Sequence, residues 1–236
     1  MKPFLTCISL ACALLANTAS AAGVVPASSV LIVDEATGEG TMSVENTDPT
    51  PVLLYTSIEN IAEDQEELVV ATPPMARLEA GQSQLVRFML TKKGPLTTQR
   101  LKRVAFEGIP FARGADNQIQ TTFRQNIPMI IQPRSLEKLK DPWTRLTATL
   151  DNGRLHLCND SGYVVRLAQQ ARLDSRNIAL PLPKTYLLPG ERFELPVNDQ
   201  PANGSTVTIW PATVYGYAAG SYAIPLTNGC KPNPVK

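Results

Sequence analysis

The residues able to carry acid–base, nucleophilic or redox chemistry are few. The chain has one histidine, His156, and four cysteines, Cys7, Cys12, Cys158 and Cys230. His156 lies in Leu155-His156-Leu157, an apolar–polar–apolar alternation that reads as a strand. A histidine in such a strand is far more often structural than catalytic. No G-x-S-x-G, H-E-x-x-H, Walker or G-x-G-x-x-G pattern occurs, and nothing points to a two-carboxylate hydrolase. These residues argue against an enzyme and against any metal or cofactor. What remains is recognition, through strands, clefts and charges.

Before those elements, an N-terminal segment has to be set aside. Residues 1–21 carry one charge, Lys2, then an apolar run from Leu5 to Ala16, then Ala19-Ser20-Ala21. This is the pattern of a secretory signal peptide, and the run is too short to span a bilayer. Cys12 follows Ser9-Leu10-Ala11, a poor lipidation signal, so secretion without a lipid anchor or membrane insertion is expected. Removing 21 of the 236 residues takes Lys2 from a total of 22 Lys+Arg and leaves 21 against 21 Asp+Glu. That balance offers no basic excess for nucleic acid or an anionic membrane surface.

The elements that must position any binding residues are short strands. Twenty scattered prolines oppose long helices. Runs at Val30–Val33, Thr41–Glu45, Val52–Ile58, Leu68–Val70, Gln84–Leu90, Leu101–Phe106 and Ile119–Ile131 give a first series within 22–133, spaced as in a β-sandwich. The acidic cluster Glu63–Glu67 between them lacks an apolar face and reads as a solvated loop. Residues 134–141, charged and flanked by Pro133 and Pro142, read as an exposed linker. A second series over 142–236 takes in Leu146–Leu150, Arg154–Leu157, Tyr163–Leu167, Glu191–Pro196, Thr206–Trp210 and Ser221–Leu226. Trp143 and Trp210 read as packing residues. The expected fold is all-β, two sandwiches in tandem. Cys158 and Cys230, the two thiols left after signal removal, both fall in the second unit, and an oxidising compartment favours a disulfide between them over two buried free cysteines.

Specific strings sharpen this reading. TPPMARLEAGQSQLVRFML (Thr72–Leu90), FEGIP (Phe106–Pro110) and FRQNIPMIIQP (Phe123–Pro133) resemble, in order and spacing, the PapD-like periplasmic chaperones of the chaperone–usher pilus pathway. Asp141-Pro142-Trp143, NGRLHLCNDSGYVVRL (Asn152–Leu167) and YLLPGERFEL (Tyr186–Leu195) extend the resemblance across the second half. It implies two immunoglobulin-like domains with a cleft between them, a periplasmic location, and binding to pilus subunits followed by delivery to an outer-membrane usher. It leaves open a self-capping oligomer in the empty state. Such a chaperone completes a subunit's sandwich by lending it a strand.

The resemblance also assigns residues. The lent strand is Ile119–Phe123, with Ile119, Thr121 and Phe123 facing the subunit groove. Members of the family hold the subunit's C-terminal carboxylate with an arginine in the first strand and a lysine in the last strand of the first domain. The matching positions here are Ser29 and Pro128. Neither is charged, so either other residues supply the anchor or subunit capture works differently. Lys102, on the inward parity of Val104 and Phe106, is the first candidate, and Arg124 the second. Rival readings are a secreted two-domain adhesin, a pilus subunit or a carbohydrate-binding module. A subunit would usually be one sandwich with its own N-terminal extension, and a carbohydrate binder would expose planar aromatics.

Overall fold

The computed structural model describes residues 23–92, 94–111, 122–197, 205–227 and 230. The first unit is built from β1 (Val24–Pro26), β2 (Leu31–Asp34), β3 (Glu39–Asn46), β4 (Val52–Glu59), β5 (Val69–Thr72), β6 (Met75–Leu78), β7 (Ser83–Leu90), β8 (Arg100–Pro110) and β9 (Arg124–Gln132). Its strands pair in the order β5-β7-β3-β2-β9-β8-β4-β6, with β1 added to β3. β2 joins two layers, pairing antiparallel with β3 and parallel with β9. Alternation along the long strands sends Val44, Leu54, Val86, Val104, Phe106 and Met129 into one core. Phe88 meets Phe106 edge-on across it, with ring centroids 6.3 Å apart.

The second unit repeats the plan with β10 (Thr147–Asp151), β11 (Arg154–Cys158), β12 (Val165–Leu173), β13 (Ile178–Pro181), β14 (Tyr186–Leu187), β15 (Arg192–Pro196), β16 (Thr206–Ala212) and β17 (Tyr222–Thr227). Here β17 is the strand that changes layers, antiparallel to β16 and parallel to β10. A one-turn 3-10 helix, Pro142–Arg145, opens the unit, and its Trp143 packs against the second core. The architecture is the all-β, two-sandwich fold expected.

One device recurs in both sandwiches. Asn46 is fully buried and its amide donates to the carbonyls of Thr50, Leu78 and Glu79 at 3.0–3.2 Å. Asn159, equally buried, donates to Tyr163, Leu187 and Leu188 at 2.7–3.1 Å. Each side chain ties the carbonyl at the end of a short strand, Leu78 or Leu187, to carbonyls of the neighbouring loops, and an unsatisfied buried carbonyl is expensive.

Several details depart from the sequence reading. β1, β6, β13 and β14 are short strands that the sequence reading did not mark. β12 runs well past Leu167, through a bulge between Leu167 and Ala171 that the polar Gln169-Gln170 disguises. Trp210 is half-buried beneath the Arg172 guanidinium, 5.6 Å from its ring, rather than in the core. The Pro133–Pro142 stretch is largely exposed yet tied down: the Leu136 carbonyl accepts from Gln132, and the Glu137 carbonyl from the Tyr163 hydroxyl. His156 lies on β11 opposite Thr149 and Glu194, as a strand residue.

Cys158 and Cys230 are joined in a disulfide that closes a separation of 72 residues. Loop closure of that length stabilises by about 4 kcal/mol in the chain-entropy treatment. A chain beginning at residue 22, denatured without reductant, is expected to show no reactive thiol in a titration. The double variant Cys158→Ala/Cys230→Ala is expected to lose up to about 4 kcal/mol in urea unfolding.

Candidate functional site

The site is best built outward from β8. Its alternation turns Lys102 inward, where it is 1% exposed, while Leu101 and Arg103 face the second domain. The Lys102 ammonium donates to Asn60 Oδ1 and the Asp64 carbonyl, both at 2.7 Å, and lies 3.0 Å from Asp64 Oδ1. Asp64 is also gripped by Arg100, whose Nε donates to its Oδ2 at 2.7 Å. Arg100 and Lys92 share Glu66, each at 3.0 Å. Four of the five residues of the acidic cluster are exposed, as a solvated loop requires, but Asp64 is the counter-charge of a buried lysine. Burial alone would raise the Asp64 pKa, but the hydrogen bonds and charges of Arg100 and Lys102 outweigh it and hold the carboxyl below its ordinary range.

Glu63, next in the chain, reaches the other domain. It pairs with Lys184 and accepts from the Tyr186 hydroxyl at 3.1 Å. Lys184 also pairs with Glu191 at 2.6 Å. Around this latch, Val30, Leu101 and Ile130 of the first domain pack with Val164 of the second. Gln99 stitches the joint: its backbone N–H donates to the Gly162 carbonyl and its side-chain oxygen accepts from the Val164 N–H, both at 2.8 Å. The domains thus meet through an apolar cluster edged by directional polar contacts, which fixes the cleft beside it.

That cleft has a volume of about 290 Å³ and is lined by Ser29, Arg103, Asn126, Pro128, Arg166 and Tyr186 among others. Its walls hold two arginines and no carboxylate. Arg103 stands directly opposite Pro128 in the β8–β9 register. Its Nε and Nη2 donate to the side-chain and backbone oxygens of Asn126. Arg166, on β12, has its Nη1 buried without a hydrogen-bond partner. Burial, with Arg103 as the lesser cause, pushes the Arg166 pKa below its usual range. Ser29 instead spans the domains, its hydroxyl donating to the Tyr215 carbonyl at 2.9 Å. Gly216, at φ +89°, lets that loop approach, since a Cβ there would collide with the Ser29 hydroxyl.

The residues singled out from sequence are distributed as follows. Ser29 and Pro128 both line the cleft. Lys102 points into the first sandwich and Asp64 already provides the carboxylate its burial demands. Arg124 lies on the outer face of β9, paired with Glu59 and 3.4 Å from the Ser57 hydroxyl. Phe123 is 55% exposed just before β9. Ile119 and Thr121 lie outside the described residues, as do residues 1–21. Among the described residues, β9 over Arg124–Pro128 pairs with β8 on one side only, and β2 takes up the other edge from Met129 onward. That half-strand leaves backbone groups free on one edge. The sequence reading overlooked Arg103 and Arg166. The parity that turned Lys102 inward would have turned Arg103 outward, but only the register shows it facing Pro128.

Comparison with known proteins agrees with this arrangement. Residues 23–137 match the family model for the pili and flagellar-assembly chaperone, PapD N-terminal domain. The uncharacterized fimbrial chaperone YhcA of Escherichia coli (strain K12) is 36% identical over 207 residues, covering 87% of this chain and 92% of that one. Among solved structures, the Salmonella enterica SafA pilin in complex with the SafB chaperone gives a TM-score of 0.70 at 19% identity, covering 89% of this chain and 99% of that one. The E. coli chaperone DraB gives 0.71 at 18% identity, with 87% and 99% covered. Two immunoglobulin-like sandwiches meeting at a basic cleft define a pilus-assembly chaperone. The chain belongs to the PapD-like family of fimbrial chaperones.

Removing the counter-ion of a buried lysine should be severe. Asp64→Ala is expected to cost about 3–5 kcal/mol in urea unfolding, because it leaves Lys102 uncompensated. The folded carboxyl binds its proton less tightly than the unfolded one, whose ordinary pKa is 3.8. Its contribution is therefore complete above about pH 4 and lost as pH falls through the lowered folded value. Below about pH 4 the wild type should lose stability more steeply than Asp64→Asn, as read by urea midpoints across pH.

Proposed function

We propose that this chaperone works in the periplasm, captures pilus subunits by lending them the strand that leads into β9, caps them against premature polymerisation and hands them to an outer-membrane usher. The observation that carries the reading is the half-paired β9. Its open edge runs from the exposed Phe123 through Arg124–Pro128 and ends at the arginine-lined cleft. A sandwich that lacks a strand exposes both core side chains and unpaired backbone groups. A strand with one free edge and an apolar side chain at its entrance complements both.

Ile119, Thr121 and Phe123 are proposed to occupy successive positions of the subunit groove, two residues apart, so that all three face the same way. Residues 1–21 are proposed to direct secretion and to be removed. Binding, folding and release in this scheme require only exchange of one strand for another.

The test is capture. The chain is co-expressed with a fimbrial subunit, and complexes are recovered from periplasmic extract. Phe123→Ala should lower the yield of complex by about thirtyfold if Phe123 is an anchor of the interface. Being largely exposed, its loss should move Tm by no more than about 2 °C. A large fall in Tm with undiminished capture would make Phe123 a core residue and sink the assignment.

A further inference from the structure

Resting on the reading that β9 leads into the strand lent to a partner, we infer that Glu59 is a positioning residue for that strand. From β4, two strands away, it holds Arg124 and Asn126 and keeps the half-paired part of β9 extended before a partner arrives. Residues Arg124–Asn126 are exposed and, among the described residues, have β8 as their one neighbouring strand. A segment with so few supporting contacts belongs to the low-stability end of a fold and should fray. Yet β9 stays in register with β8 as far as Arg124, which lies opposite Glu107.

The support comes from side chains on one face. Glu59 accepts from Arg124 Nη2 and, at 2.8 Å, from Asn126 Nδ2. Arg103 closes the network from β8, its Nε donating to Asn126 Oδ1 and its Nη2 to the Asn126 carbonyl at 2.7 Å. Asn126 is thereby held at both ends of its amide and through its backbone. Ser57, Ala105 and Asn126 lie in line across β4, β8 and β9. Arg124, from its place opposite Glu107, passes Ser57 to reach Glu59 and so crosses above Ala105. That crossing accounts for Ala105 being 1% exposed on an outward-facing position. One exposed ion pair contributes little, but a carboxylate shared by two donors and closed by a third residue is the arrangement in which exposed charges count.

The network occupies the face of β9 opposite Ile127 and Met129, which enter the core. Phe123 shares the parity of Ile127, so the side chains proposed to face a partner's groove stay uncovered. A strand that is already extended loses less conformational freedom on capture than one that must first order. Glu59 therefore favours binding without belonging to the contact.

Two measurements test this. In the first, amide hydrogen exchange is followed by NMR in a chain beginning at residue 22. In Glu59→Ala, the amides of Arg124–Ile127 that are protected in the wild type should exchange about tenfold faster, while those of Met129–Ile131, held between β2 and β8, should not change. Unchanged rates, or no protected amide there in the wild type, overturn the proposal. A rise along the whole of β8 and β9 makes Glu59 a general stabiliser and overturns it too. Arg124→Ala should give a smaller change of the same kind, and the double variant no more than Glu59→Ala alone. Additive effects overturn the shared network.

In the second, Glu59→Ala should lower recovery of a co-expressed fimbrial subunit from periplasmic extract by about tenfold, with Tm lowered by no more than about 3 °C. Glu59→Gln, which keeps one acceptor, should fall between the two. Faster local exchange with undiminished capture overturns the positioning role and leaves the chaperone reading standing. Faster local exchange with no capture even by the wild type sinks the chaperone reading and leaves the network standing.

Discussion

The structure turns on one buried charge. Lys102 is 1% exposed inside the first sandwich, and an ammonium in that setting is tolerated only with close acceptors on several sides. Asn60 and Asp64 supply them, and so a polar loop that could have waved in solvent is drawn onto the β8 surface. Arg100 binds the same loop from its rim. Once Asp64 is fixed, its neighbour Glu63 projects toward Lys184 and Tyr186. A charge inside one domain thereby sets how the other domain is held. An apolar residue at 102 could fill the same volume, but it would give the loop no reason to take this shape.

The two domains solve the same packing problem with the same chemistry. Asn46 and Asn159 each cap a set of turn carbonyls from inside, and β2 and β17 each carry the chain from one layer to the other. Around the joint, directional bonds from Gln99 fix what the apolar cluster of Leu101, Ile130 and Val164 leaves free to slide. Apolar burial supplies most of the attraction, because it grows with area. The hydrogen bonds supply the orientation.

The all-β, two-sandwich plan was legible because period-two alternation and turn residues are local signals. The same is true of the Cys158–Cys230 pairing, which follows from composition and compartment. Inward parity for Lys102 was also legible, from Val104 and Phe106. Its partner was not: Asp64 lies 38 residues away, and a run of acids looks identical whether it faces water or a buried lysine. The cleft arginines were hidden for a related reason. Arg103 lies one strand across from Pro128 and Arg166 across the domain joint, so no single strand reveals the basic cleft. Edge strands such as β6 and β14 were obscured because their pairing, not their composition, makes them strands.

The joint between the domains combines two materials with opposite habits. Its rim, where Glu63 meets Lys184, is partly open to solvent and weakens as ions in the medium screen it over a Debye length of about 8 Å at 0.15 M salt. Its apolar centre ignores dilute salt but loosens on cooling, as the hydrophobic driving force fades. A compartment whose ionic content follows the surroundings would therefore set the stiffness of the rim, and the weather outside the cell the stiffness of the centre. Neither condition alone relaxes both halves of the joint.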